Sequence, residues 1–152
     1  YARVGCCTLA REYDAAQGRT YLTITLPSGR KLFYVEPAIG KNRWGNPSIS
    51  YAGVAQDTKK WARVETYGGK LVENCVQAIA RDCLAHCIEQ LELSGFPVVF
   101  HVHDEVVIEI PPYAGDKAML DTVIAMMSCP IPWAQGLPLN ADGWVGLYFK
   151  KD

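Results

Sequence analysis

Two kinds of hydrophobic order run along the chain, and one gives way to the other near residue 70. Ahead of that point, short runs in which apolar and polar residues alternate predict strands; behind it, apolar positions recur every three or four residues and predict helix. Val4 to Ala10 reads as a weak strand, Asp14 to Gly18 as a polar turn, and Thr20 to Leu26 as a better strand in which threonine alternates with apolar residues. Pro27, Ser28 and Gly29 turn the chain into a partner strand, Arg30 to Val35, so two cations, Arg30 and Lys31, stand just past a hairpin turn. Residues 37 to 48 hold two prolines, two glycines and two asparagines, which predicts a loop with Lys41 and Arg43 beside Trp44, a setting in which an aromatic ring can stack on a base. Ser48 to Val54 and Lys60 to Tyr67 are further strands around Ala55 to Thr58, and Gly68-Gly69 ends the strand-rich half.

Lys70 to Leu93 is the most regular helix, with Val72, Val76, Ile79, Cys83 and Cys87 as its expected buried stripe. On another side Asn74, Gln77 and Arg81 fall at i, i+3 and i+7, so two amides and a guanidinium share one face. Such donors suit the acceptors that every base pair shows in the minor groove; an ordinary solvated face is the alternative. Ser94-Gly95 stops the helix.

Pro97 to Ile110 follows as two short apolar strands around His103, Asp104 and Glu105. Three ionisable residues are too polar for a buried strand interior, so a tight hairpin carrying them at its tip is expected. Adjacent carboxylates there would suit a hard divalent cation, which prefers oxygen ligands. Pro111-Pro112 breaks the strand. Gly115 to Ser128 has helical spacing through Ala118, Met119, Val123, Ile124 and Met127, and Leu137 to Trp144 leads into an expected closing strand ending near Lys150.

Composition narrows the class. A chain of 152 residues with 49% hydrophobic residues fits one domain with a real core. No apolar run nears the roughly 20 residues that span a bilayer, and no signal-peptide pattern is present, so no membrane partner is expected. The chain begins at Tyr1, not Met, as a piece of a longer protein would. Residues 1–81 carry 12 Lys and Arg against 6 Asp and Glu, whereas 82–152 carry 3 against 10. A basic half beside an acidic half suits an enzyme acting on a polyphosphate, with cations on the backbone and acids on a metal; ordinary surface charge gives the same counts. Without a secretory pattern, the six cysteines read as reduced core residues of a cytoplasmic protein. Cys75, Cys83 and Cys87 lie at helical spacing beside His86, but no Cys-x-x-Cys pair supports a zinc site.

Val102 to Glu109, Val-His-Asp-Glu-Val-Val-Ile-Glu, resembles motif C of family A DNA polymerases, the palm hairpin that carries a catalytic aspartate. Three other segments, in the family's order, extend the resemblance over most of the chain. Leu26 to Phe33 is similar to the Gly-Arg-Arg/Lys-Leu hairpin that follows the fingers, Thr66 to Asp82 to the helix before motif C in phage-type members, and Leu137 to Trp144 to a phage-type carboxyl terminus. The resemblance implies that Asp104 is a ligand of two magnesium ions, Glu105 its supporting acid, His103 a neighbour of the primer terminus and Gln77 a minor-groove contact. The position four residues before Gln77, often asparagine in bacterial members, is Glu73 here; a carboxylate cannot donate, and Asn74 stands next to it. Arg81, Arg30 and Lys31 complete the expected DNA-binding set. The implied partners are primer-template DNA and, in the complete enzyme, a deoxynucleoside triphosphate, in a bacterial or phage-infected cell.

No counterpart of motif A, motif B, the exonuclease domain or most of the thumb is found in these residues. The expected fold is therefore α+β, an incomplete palm with a small antiparallel sheet around the motif C hairpin, one long and one shorter helix. Without the motif A aspartate the isolated chain is expected to be inactive, and a free sheet edge or uncovered apolar face would favour self-association or a complementing polymerase segment. Three alternatives stand beside this reading. A metal-dependent nuclease or phosphotransferase would need more carboxylates than Asp104, Glu105 and nearby Glu109, and a noncatalytic nucleic-acid-binding module or polymerase remnant would use the basic half alone. Single-subunit RNA polymerases also carry His-Asp at this hairpin, but usually with a residue other than Glu105 following.

Overall fold

A computed structural model of the protein describes residues 1–42, 44–111 and 117–149. The fold is α+β, and it divides into two compact units, Tyr1–Ile79 and Ala80–Asp152. Arg43, the helix start at Gly115, the strand break at Pro112 and the strand end at Lys150 lie outside the described residues.

The first unit holds a six-stranded antiparallel meander: β1 (Ala2–Val4), β2 (Cys7–Asp14), β3 (Arg19–Thr25), β4 (Lys31–Lys41), β5 (Pro47–Val54) and β6 (Trp61–Thr66), paired in chain order. Period-two alternation sends Leu9, Leu22, Ile24, Leu32 and Tyr34 to one face. There they pack with Leu71, Cys75, Ala78 and Ile79 from the first half of helix α1 (Gly68–Leu93). Asp14 Oδ1 accepts from the backbone amides of Ala16 and Gln17, at 2.9 and 3.2 Å, and so closes the β2–β3 turn. Gly29, at φ 87°, donates to Leu26 O in the turn before β4.

Several expectations need correction here. Val4 to Ala10 is not one strand but the bend between β1 and β2, with Gly5 at φ 58°. Residues 37–48 are mostly strand: β4 runs on to Lys41, β5 starts at Pro47, and only residues 42–46 form the connection. A bulge between Val35 and Ala38, with Glu36 at φ 49°, absorbs Pro37 and lets pairing resume. On α1, Val72 and Val76 are 59% and 60% exposed; the sheet instead takes Leu71, Cys75, Ala78 and Ile79. Both stripes are apolar at helical spacing, so periodicity could not choose between them. The meander is made entirely by β1–β6, whereas the hairpin expected at the sheet's centre pairs only with itself.

In the second unit the rest of α1 buries Cys83, Leu84, Cys87 and Leu91. The helix ends in a Schellman motif: Phe96 N donates to Leu91 O at 2.9 Å, Gly95 N donates to Glu92 O at 3.0 Å, and Gly95 has φ 84°. Glu92 then accepts from Val98 N at 2.6 Å, tying the helix end to the following strand. β7 (Val98–Val102) and β8 (Glu105–Ile108) form a two-stranded sheet. Helix α2 (Lys117–Met127) carries a Lys117–Asp121 ion pair at 2.7 Å, and Cys87 Sγ donates to Met127 O at 3.7 Å. The expected closing strand does not form over residues 137–149, where no ladder partner is found among the described residues.

Candidate functional site

The β7–β8 ladder pairs Val98 with Ile108, Phe100 with Val107, His101 with Val106 and Val102 with Glu105, which leaves His103 and Asp104 as a two-residue turn. His103 sits at φ 50°, a left-handed conformation that this kind of turn normally gives to glycine or asparagine. A histidine there costs conformational energy, the kind of local strain that concentrates at functional positions. His103, Asp104 and Glu105 are all exposed. Among the described residues no basic side chain forms an ion pair with either carboxylate.

The donor set by itself does not fit a divalent cation. Magnesium asks for about six oxygens in an octahedron. No group of three or more His, Cys, Asp or Glu is gathered in a metal-holding arrangement among the described residues. Asp104 can therefore supply one carboxylate to a cation site but cannot complete it, and the histidine and cysteines near position 86 do not form a zinc centre.

The other expected site residues fall into separate groups. Gln77 is exposed, and its Nε2 donates to Glu73 Oε1 at 3.2 Å, while Glu73 is also held by Lys70 Nζ at 3.0 Å. Asn74 turns to the sheet, where its Nδ2 donates to the Tyr34 hydroxyl at 3.0 Å. Burial pushes that phenol above its usual range, and the Asn74 bond partly opposes the shift. Arg30 reaches back to α1 and donates to the Ala78 carbonyl at 2.9 Å. Lys31 pairs with Glu12 at 2.7 Å, and Thr23 Oγ1 donates to the same carboxylate at 3.0 Å. The Lys31 bond first, and the Thr23 bond second, hold the Glu12 carboxyl below its ordinary value.

In the second unit, Arg81 lies 3.3 Å from His101 Nε2, so a neutral His101 accepts from the guanidinium and joins α1 to β7. Sequence reasoning passed over His101. A signal was available, since two of the three histidines in the chain fall within this hairpin. Tyr34 was also missed; as one aromatic among several in a strand it gave no sign of its bond to Asn74.

No protein-family model matches the chain, and no solved structure matches it. Over 132 residues it is 50% identical to a protein named DNA polymerase from Bacillus phage SP02, a match that covers 86% of this chain and 20% of that protein. The chain thus spans about a fifth of the length of the relative it matches.

Proposed function

We propose that the chain is the segment of a phage-type family A DNA polymerase that carries the motif C hairpin of the palm, and that it works in DNA replication inside the bacterial host. The observation that carries the reading is the 50% identity over 132 residues to a phage DNA polymerase. The exposed His103-Asp104 turn with its strained backbone supports it. In this reading Asp104 contributes one carboxylate to a magnesium site completed by carboxylates beyond these residues, Glu105 supports it, and His103 lies near the primer terminus. Gln77 touches the minor groove of the primer-template, with Arg81 beside it. Asn74 and Arg30 act indirectly, by fixing α1 on its sheet, and Lys31 acts through its bond to Glu12.

Because the cation site is shared, the 152-residue chain alone extends no primer. Incubation with primer-template, magnesium and all four nucleotides tests this, and robust extension would overturn the shared-site reading. Duplex binding is the chain's own contribution: Gln77→Ala should weaken it, and affinity should fall steeply with salt. A noncatalytic nucleic-acid-binding module is the second reading, favoured by the lack of a complete carboxylate cluster among the described residues. It expects binding that is indifferent to both magnesium and Asp104→Ala.

A further inference from the structure

The β4–β5 arm is a feature that the polymerase reading leaves without a task. Past the bulge at Glu36, β4 and β5 run on as a two-stranded extension, Ala38–Lys41 against Pro47–Ser50. Its end is closed tightly. Asn42 N donates to Asn46 O at 2.8 Å, Gly45 N donates to Asn42 O at 2.9 Å, and Asn42 Oδ1 accepts from the amides of Trp44 and Asn46, both at 3.0 Å. Gly45, at φ 82°, supplies the left-handed residue that this closure needs. The result is a preorganised tip with a large aromatic ring on it: Trp44 is 68% exposed, and Ile39, on the strand leading to it, is 88% exposed.

A rigid, solvent-facing tryptophan offers a ring for stacking at little cost in conformational entropy. The charge nearby selects the occupant. Residues 37–48 contain Lys41 and Arg43 and no acidic residue, so the segment is net positive. An apolar protein surface would not call for those cations, whereas a nucleic-acid strand offers a base face beside a phosphate. Base–aromatic stacking tolerates any sequence because every base has a π-face.

We propose that the arm is a base-stacking element: Trp44 takes an unpaired nucleobase of a single-stranded nucleic acid, and Lys41 faces the adjoining phosphate. The site needs neither Asp104 nor a primer terminus. The test is therefore made without magnesium and without duplex, so its outcome is independent of the polymerase reading. Fluorescence anisotropy at low salt would compare a labelled oligothymidylate with an abasic oligomer of the same length. Trp44→Ala should weaken oligothymidylate binding roughly 5- to 150-fold, the range that corresponds to losing one base–aromatic stack. Trp44→Phe should recover most of it, and binding of the abasic oligomer should not change. Trp61→Ala, an exposed tryptophan paired with Val54 at the far end of β5, should have no effect. Lys41→Ala should reduce the salt dependence by about one phosphate contact for both oligomers. The proposal is overturned if Trp44→Ala binds oligothymidylate within about twofold of the unaltered chain, if the abasic oligomer loses as much, or if the unaltered chain binds neither.

Discussion

Replacing Arg30 by alanine separates two roles that the sequence leaves together. From the sequence, Arg30 is a cation past a hairpin turn, ready to contact phosphate; in the structure its guanidinium donates to the Ala78 carbonyl of α1 at 2.9 Å. A hydrogen bond with one charged partner contributes about 1.5–3 kcal/mol when sheltered. Arg30 is exposed, and solvent screening brings the expected loss down to about 1 kcal/mol. For a urea dependence of about 1–3 kcal/mol per molar, the midpoint should fall by roughly 0.3–1 M. Circular dichroism during urea titration reads that shift, and the salt slope of DNA binding provides the second readout. A structural Arg30 leaves the slope unchanged, whereas a phosphate contact removes about one unit from it. An unchanged midpoint together with a shallower slope would refute the assignment of Arg30 to the helix.

Three further outcomes follow from the same structure. Leu91, fully buried, should cost about 2–5 kcal/mol as Leu91→Ala, whereas Val76→Ala, at a site 60% exposed, should stay within about 0.5 kcal/mol; comparable losses by denaturant titration would put the buried stripe of α1 on the wrong side. Burial first, then the neighbouring Cys6 and Cys75, push the Cys7 thiol up to about 12, so it stays protonated and unreactive at neutral pH. Mass spectrometry after brief alkylation should find exposed Cys6 and Cys129 labelled well before Cys7. The lowered Glu12 carboxyl gives stability that is present above its unfolded value and is lost as pH falls through the folded one. Lys31→Met should therefore return the Glu12 titration, followed by carboxyl NMR, toward its ordinary value, and an unmoved titration would remove the ion pair from the account.

What could be read from the chain was local. The hairpin around Asp104 was legible because branched apolar residues flank three that cannot be buried, and α1 was legible because its periodicity runs for 26 residues before a glycine that suits its end. The first turn was not, since Gly5-Cys6 interrupts an otherwise continuous pattern. Pro37, Gly40 and Asn42 carry the composition of a loop, yet cross-strand pairing with residues 47–50 overrides it once a bulge removes Pro37 from the ladder. The site was legible as residue types at an exposed tip. The bonds that commit Arg30, Lys31 and Asn74 to the protein itself depend on partners 48, 19 and 40 positions away, which no local pattern reveals.

The most direct measurement is primer extension by the Bacillus phage SP02 polymerase in which the 132 matched residues are replaced by those of this chain. The account predicts that the hybrid extends a primer with magnesium, and that Asp104→Ala in the hybrid cuts the rate by at least about a hundredfold with duplex binding retained. Extension by the Asp104→Ala hybrid within about tenfold of the unaltered hybrid would contradict it.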